Sequence, residues 1–289
     1  MLVECVLNVS EGRDLAVLGA LSDAAGELLL DRHEDPHHHR SVFTLAGRAD
    51  DVEDAARSLA RIAVASVDLG AHDGVHPRLG ALDVAPFVPY ALGAAPPSDL
   101  AEVVVLRDAF ARWLARELRV PAFLYGPLGG SQARTLPEVR RGAFARFAPD
   151  FGPRAPHATA GATAVGARSV LVAYNVWVES VSEGHRAVEI ARSVASRVRG
   201  PQVRTLGLEV GDRAQVSCNL VAPALVGPEE VYDAVAAAVD EAGGHVTGAE
   251  LVGLVPAVVL GGIPTLRWPE LGLAESATVE ARLAERGRA

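Results

Sequence analysis

The feature that most constrains the fold of this chain is an order of strands and helices that occurs twice along it. In the first half, apolar runs typical of buried strands alternate with segments that have the apolar spacing of amphipathic helices. The predicted elements are a strand at 2–9, a helix at about 14–25, strands at 27–31 and 41–47, a helix at about 50–62 and a strand at 81–90. This β-α-β-β-α-β order is that of a split βαβ unit.

The same order is predicted again in the second half. Its elements are a strand at 169–179, a helix at 182–198, strands at 203–210 and 214–222, a helix that begins near Pro228 and a strand at 250–256. Between the repeats lie a helix near 100–119, a short strand at 122–126, a glycine-rich loop and a helix near 136–147. We therefore predict an α/β (α+β) fold of two similar ferredoxin-like βαββαβ subdomains, 1–168 and 169–274, followed by a C-terminal tail at 275–289.

Charge and composition argue against several classes of function. The formal net charge is −9 and basic residues form no block or stripe, so a nucleic acid is not expected as a partner. The 27 cationic side chains are all arginine, and a chain without lysine can form neither a lysine Schiff base nor a P-loop. Cys5 and Cys218 lie in apolar strand-like runs, which predicts buried thiols rather than a disulfide.

The hydrophobic segments do not predict a membrane or secreted protein. The N-terminal stretch MLVECVLNV has no basic region ahead of its apolar residues, unlike a signal peptide. The longest apolar run, 251–262, is shorter than a membrane span and contains Pro256. We therefore expect a cytoplasmic protein without a membrane partner.

The three asparagines of the chain all lie in apolar strand-like runs. They are Asn8 in VLNVS, Asn175 in AYNVW and Asn219 in SCNLV. Asparagine is disfavoured in strands, and a buried amide without partners costs about 1–3 kcal/mol. Each amide can bond a sheet edge or a bulge, or the three can line one cavity in which a polar ligand completes their hydrogen bonds.

The stretch HDGVHPRLGALD, residues 72–83, concentrates polar chemistry in an otherwise aliphatic region. His72 and His76 are four residues apart, a spacing that on a helix presents two imidazoles to one zinc ion. Gly74 between them and Pro77 after them both oppose a helix here. We therefore predict no metal site in this stretch.

Two other interpretations of the same stretch remain open on the residues alone. In the first it is a polar turn in which Asp83 pairs with Arg78. In the second the rigid Pro-Arg-Leu-Gly connection holds His76 in one place, as a general acid or base requires. Arg78 would then bind a carboxylate through its two guanidinium N–H groups.

The loop at 149–168, PDFGPRAPHATAGATAVGAR, is the second candidate for function. It joins the two halves, and in one interpretation it is simply a linker between them. However, its three prolines make it stiff, and His157, Thr159 and the backbone amides of 161–163 can contact a ligand. It lacks the strand-GxGxxG-helix order of a dinucleotide site.

Nine sequence stretches between about residues 3 and 258 together resemble the glutamate formimidoyltransferase family, which in animals forms the N-terminal part of formimidoyltransferase-cyclodeaminase. In chain order they are VECVLNVSEGRD, RSVFTLAGR, GVHPRLGALDVAPFVP, FLYG, PDFGP, TAGATAVGAR, LVAYNV, AQVSCNL and ELVGLVP. The resemblance implies two α/β subdomains, each a sheet covered by helices on one side, with a substrate tunnel between them. It also implies a homodimer.

The resemblance further implies a reaction of histidine degradation and one-carbon metabolism. The formimino group would pass from N-formimino-L-glutamate to N5 of the co-substrate tetrahydrofolate and release glutamate, with neither a metal nor a nucleotide as cofactor. The histidine of the HPR motif, here His76, would be the general acid and base. Both substrates carry several carboxylates, so we expect Arg78 and Arg40 to bind them, with Asp83 orienting the segment.

The same resemblance implies the folate-binding segment 152–161. The expected cofactor-binding residues there are Gly152, Pro153, His157, Thr159, Ala160 and Gly161. Asn8, Asn175 and Asn219 fall inside family motifs, which adds support for a substrate-binding role.

The chain departs from the family pattern at four positions, Leu7, Val9, His39 and Ala160, and no cyclodeaminase segment follows. A separate cyclodeaminase is then expected to process the product. Three other functions stay open: transfer from a different formimino- or formyl-amino acid, metal-dependent hydrolysis of amidines, and folate or amino-acid binding without catalysis.

Overall fold

A computed structural model describes residues 1–74, 78–93, 99–180 and 187–287. Its described residues form two compact units: the first lies within Met1–Ser169, and the second comprises Val170–Gly287 together with Leu92 and Gly93. Each unit has an apolar core of its own.

The first unit begins with the predicted β-α-β-β-α-β order. Its elements are β1 (Leu2–Val9), α1 (Leu15–Ala25), β2 (Leu29–Asp35), β3 (Arg40–Arg48), α2 (Ala49–Ser66) and β4 (Leu82–Tyr90). These four strands are ordered β2-β3-β1-β4 in the sheet, and β1 is antiparallel to both of its neighbours.

Five further elements complete this unit. They are α3 (Ala101–Glu117), β5 (Ala122–Gly129), β6 (Gln132–Arg134), α4 (Leu136–Gly142) and β7 (Thr163–Ala167). Strand β7 lies between β4 and β5 and is parallel to both, giving a seven-stranded sheet. The interpretation of 149–168 as a loop is therefore wrong for Thr163–Ala167, which is a fully buried strand near the middle of the sheet.

The two faces of this sheet carry different helices. Phe43, Phe87 and Phe110 belong to the core under α1, α2 and α3. Alternate residues of β4, β5 and β7 point to the other face, where Val84 and Phe123 pack with Val139 of α4. The long helices thus cover one face, and the short helix α4 covers part of the other.

A β-bulge in β4 determines the face of the sheet on which the Asp83 side chain lies. Asn8 pairs with Val84 but Val9 pairs with Leu82, so Asp83 is an extra residue in the ladder. Leu82 joins the core under the long helices, while the Asp83 carboxylate bonds Arg140 of α4. The bulge therefore places the carboxylate on the α4 face.

The second unit repeats the order with β8 (Val172–Ser180), α5 (Ala187–Val198), β9 (Val203–Val210), β10 (Arg213–Leu220), α6 (Pro228–Glu241) and β11 (Gly244–Val252). Its sheet is ordered β11-β8-β10-β9 and is antiparallel throughout. Counting strands along each repeat, the first four strands of the first unit and the four strands of the second share the order fourth, first, third, second. The predicted class, two ferredoxin-like units in a mixed α/β chain, is confirmed.

Two short α-helices follow in the second unit, α7 (Ala257–Leu260) and α8 (Val279–Glu285). Val279 and Leu283 of α8 are buried. Cys5 and Cys218 are buried and unpaired, as predicted. Within the described ranges, no helix has both the length and the apolar character needed to cross a membrane.

Candidate functional site

The turn between β2 and β3 brings two histidines of the first unit together. His39 has a positive φ of 50°, and its ring lies 4.1 Å, centroid to centroid, from the ring of His72. Gly12 packs against this turn, and a Cβ at that position would lie 2.5–2.8 Å from backbone atoms of Asp35 and Arg40. The backbone N–H of Gly12 also donates to His39 Nδ1 at 3.2 Å.

Arg78 of the HPR motif ties its own segment to the same turn. Its Nη1 donates to the carbonyl oxygen of His39 at 3.3 Å, and its Nη2 donates to that of His38 at 3.2 Å. Nη1 also lies against Nε2 of His72. Arg78 therefore holds the turn and the motif side by side, and its positive charge stays at this place.

Burial and this neighbouring charge keep the histidines neutral. Burial, then Arg78, then His39 lower the pKa of His72 below its usual value. Burial also lowers the pKa of His39, although Glu11 opposes the shift. The N–H of Gly74 donates to His72 Nδ1 at 3.0 Å, and Nε2 lies 3.2 Å from the carbonyl oxygen of His39.

The pair formed by Asp35 and His38 lies at the start of the same turn. The backbone N–H of His38 donates to Asp35 Oδ1 at 2.8 Å, and the ring Nδ1 contacts Oδ2. Burial alone would raise the pKa of Asp35, but the hydrogen bonds from His38 dominate and hold it at about 2. Asp35 is therefore a carboxylate at neutral pH.

Asp83 is the buried carboxylate beside the motif, with 1% of its surface exposed. Its Oδ2 accepts from Arg140 Nη2 at 2.6 Å, and its Oδ1 accepts from the backbone N–H of Leu79 at 2.6 Å. Arg40 Nη1 lies 3.9 Å from Oδ2. One of the two open interpretations paired Asp83 with Arg78. Its observed cationic partners are Arg140 and Arg40, because the bulge directs the carboxylate toward α4.

Arg40 links this carboxylate to the first of the three asparagines. Its Nη2 donates to Asn8 Oδ1, while Asn8 Nδ2 donates to the carbonyl oxygen of Val6 at 2.9 Å. Burial lowers the pKa of Arg40 to about 10, and Asp83 opposes that shift. Arg40 is thus a cation at neutral pH.

The candidate folate segment at 152–161 ends in a tight turn. His157 and Gly161 exchange backbone hydrogen bonds of 2.8 and 3.0 Å, and Gly161 has a φ of 65°. His157 Nδ1 accepts from the backbone N–H groups of Ala160 at 3.1 Å and Thr159 at 3.4 Å. The Nδ1 atom is therefore unprotonated, and the ring proton lies on Nε2.

This turn pairs directly with the end of the HPR motif. The N–H of Ala81 donates to the carbonyl oxygen of Ala160 at 2.9 Å, and the N–H of Ala162 donates to that of Leu79 at 3.0 Å. A Cβ on Gly80 would collide with the carbonyl oxygen of Ala162, so only glycine allows this approach. At the start of the segment, Gly152 has a φ of 95° and packs against Ala115 of α3, and Pro153 follows it half-buried.

Asn175 and Asn219 lie in the second unit. They occupy the face of its sheet opposite the core that α5 and α6 cover. Asn175 pairs across the strands with Ser217, and its Nδ2 lies 3.4 Å from Glu250 Oε2. Asn8 lies in the first unit, where it bonds Arg40. One asparagine therefore belongs to the first unit and two belong to the second.

His76 lies outside the described residues. Gly74 and Arg78, its described neighbours in sequence, both contact the His38–His39 turn. Arg140 is the residue that the sequence did not indicate, since nothing separates it from the other arginines of a polar helix. Among the described side chains, no group of three His, Cys, Asp or Glu is placed to hold a metal ion.

Comparison with known families matches both units. The family model for the N-terminal subdomain of the formiminotransferase domain covers residues 2–168, and the model for the formiminotransferase domain covers residues 173–262. The chain belongs to the formiminotransferase family. Its membership makes it an enzyme of the transferase class.

Individual relatives agree with the family match. The chain is 36% identical over 282 residues to glutamate formimidoyltransferase of Streptococcus pyogenes serotype M1, covering 90% of each protein. It is 32% identical over 278 residues to glutamate formimidoyltransferase of Thermoplasma acidophilum, covering 88% of each.

A two-part relative is similar over part of its length. The chain is 38% identical over 278 residues to formimidoyltransferase-cyclodeaminase of Sus scrofa. The match covers 88% of this chain and 50% of that protein, so the chain spans about half the length of this relative.

Proposed function

We propose that this protein transfers the formimino group of N-formimino-L-glutamate to N5 of tetrahydrofolate and releases L-glutamate. The observation that supports this most strongly is a pair of backbone hydrogen bonds, Ala81–Ala160 and Leu79–Ala162. They join the residues directly after the HPR motif to the turn at 157–161 and the residue that follows it. A residue that moves protons and a segment that binds folate would thereby be held in fixed relation.

The chemistry needs one group that both accepts and donates a proton. The N5 lone pair attacks the formimino carbon, the new C–N5 bond gives a tetrahedral intermediate, and the C–N bond to glutamate then breaks. N5 must lose a proton, and the leaving glutamate nitrogen must gain one. We assign both transfers to His76: the neutral imidazole accepts the N5 proton, and the imidazolium so formed donates a proton to the leaving nitrogen.

The charges of the first unit support an anionic substrate. Arg40 and Arg140 both face Asp83, so two cations meet one carboxylate here although the whole chain carries −9. We assign Arg40, with Asn8, to binding a substrate carboxylate. Arg78 already donates to two backbone carbonyls, so its proposed contribution is mainly the field of its charge.

The folate assignment is supported by the stiffness of the turn at 157–161. Ala160 is buried and Gly161 requires its positive φ, so the half-buried side chains of His157 and Thr159 are held in place. We assign Gly152, Pro153 and this turn to tetrahydrofolate as co-substrate. Asn175 and Asn219 are assigned to substrate binding in the second unit.

Four further properties are proposed from the family. They are a cytoplasmic location, a homodimer, a role in histidine degradation and a separate cyclodeaminase that takes the product. The expected tunnel between the two units and the boundaries at 168 and 274 also stay predictions.

Glutamate release tests the proposal. Purified protein should release glutamate only when N-formimino-L-glutamate and tetrahydrofolate are both present, and His76→Ala should lower kcat by at least about 10²-fold. His245→Ala, an exposed imidazole of the second unit, is the matched control and should keep wild-type rates.

Two outcomes would overturn parts of this assignment. Wild-type turnover by His76→Ala would remove the proposed acid/base role. Release from another formimino- or formyl-amino acid, with none from N-formimino-L-glutamate, would keep the transfer reaction and replace the donor.

A further inference from the structure

Arg140 reaches the candidate site from outside all the sequence stretches that resemble the family. Its Nη2 donates to Asp83 Oδ2 at 2.6 Å, and its Nη1 lies 3.5 Å from Oδ1. Both guanidinium nitrogens thus face one carboxylate, an arrangement that fixes orientation as well as distance.

The helix that carries Arg140 is itself firmly anchored. Thr135 caps α4 by accepting from the N–H of Glu138 at 3.4 Å, and Glu138 Oε2 accepts from the N–H of Thr135 at 2.7 Å. Val139, next to Arg140, is fully buried under the sheet. The guanidinium therefore projects from a fixed backbone.

Asp83 carries this restraint to two parts of the candidate site. One oxygen accepts from the backbone N–H of Leu79, the residue after Arg78, at 2.6 Å. The other faces Arg40 at 3.9 Å. A buried carboxylate that lost Arg140 would keep only the longer contact to a cation and would be free to rotate away from Leu79.

We propose that Arg140 is a positioning residue of the transfer reaction, which acts through Asp83 on the backbone of the HPR segment and on Arg40. The inference rests on the proposed function for its kinetic readout. In this role Arg140 touches neither substrate. It fixes the position of the Leu79 backbone, and with it the end of the HPR segment, and it fixes the position of the Arg40 guanidinium.

A substitution series tests this role. Arg140→Gln should lower kcat about 10- to 100-fold with a smaller change in KM, because misplaced groups chiefly cost rate. Arg140→Lys should recover part of the rate, since it restores the charge without the paired N–H groups. Arg141→Gln, an exposed neighbour on the same helix, is the matched control and should remain at the wild-type rate.

Two further variants separate positioning from simple loss of stability. The double variant Asp83→Asn with Arg140→Gln should be no slower than either single variant, because the two residues act as one unit. Millimolar guanidinium should restore part of the rate of Arg140→Ala but leave Arg141→Ala unchanged. An Arg140→Gln variant with full kcat, or additive losses in the double variant, would overturn the proposal.

Hydrogen exchange keeps the test independent of turnover. In Arg140→Gln, the amide of Leu79 should exchange faster than in wild type, while amides of β8 in the second unit should not change. If wild-type protein shows no transfer with any donor, the proposed function fails and this exchange result still decides whether Arg140 controls Leu79. Unchanged exchange at Leu79 would contradict the link.

Discussion

At the scale of single residues, the candidate site combines fixed cations with neutral imidazoles. Arg78 donates to the carbonyl oxygens of His38 and His39 and lies against His72. A second positive charge on His72 would meet Arg78 at contact distance and would also remove the acceptor that its Nδ1 offers to Gly74. Protonation of His72 would therefore weaken the attachment of the motif to the turn.

This arrangement predicts how stability depends on pH. The pKa of His72 is lowered in the folded state, so between that value and its unfolded value of about 6.5 the unfolded chain binds more protons. The contribution of His72 to the free energy of unfolding is then fully present above about pH 6.5, and it is lost as the pH is lowered through this window. Urea unfolding at pH 7 and pH 5.5 should show a larger loss in wild type than in His72→Asn.

The control for this prediction is His245→Asn, which removes an exposed imidazole of the second unit. It should show the same pH dependence as wild type. If wild type and His72→Asn lost the same free energy of unfolding between pH 7 and pH 5.5, His72 would not be the source of the pH dependence.

Residue types at the site were only partly predictable from the sequence. The motif identified Asp83, Arg78 and His76 as candidates, but the partner of Asp83 depends on a bulge and on a helix more than fifty residues further along the chain. Local spacing carries no information on such a contact. Arg140 could be found only once the fold had brought α4 over the sheet.

At the scale of elements, the repeat was predictable because its strands and helices have clear periodicity. Strand β7 was not, since TAVGA is short, made of small residues and preceded by prolines and glycines that are typical of a loop. It is a strand because β4 and β5 leave a gap that it fills in parallel with both. Tertiary pairing therefore decided a segment for which local sequence favoured a turn.

The close pairing of the residues that follow the HPR motif with Ala160 and Ala162 gives a prediction on Gly80. Gly80→Ala places a Cβ against the Ala162 carbonyl, and the backbone on one side must move. We expect a loss of more than about 3 kcal/mol in the free energy of unfolding, measured by urea titration, together with loss of folate binding.

Gly19 supplies the matched control for this substitution. It lies inside α1 with open space around its Cβ position, so Gly19→Ala should stabilise the protein by about 0.5–1 kcal/mol. A Gly80→Ala protein as stable as wild type would show that the turn can move away from the motif, and the proposed fixed site would then lack its support.

At the scale of the whole molecule, two units share one strand order and each has its own core. The duplicated pattern in the sequence therefore predicted the architecture well. Net charge was less informative, since the overall −9 conceals that Arg40 and Arg140 both face Asp83. Only folding reveals which of the 27 arginines act together.

The central claim, that the protein moves a formimino group to tetrahydrofolate, is tested most directly by following the carbon itself. N-formimino-L-glutamate labelled with ¹³C in the formimino group would be incubated with tetrahydrofolate and protein, and the product examined by NMR. We predict that the label appears on N5 of the folate with wild-type protein and stays on glutamate with His76→Ala. Label released as free formamide or formate, with unmodified folate, would contradict the account.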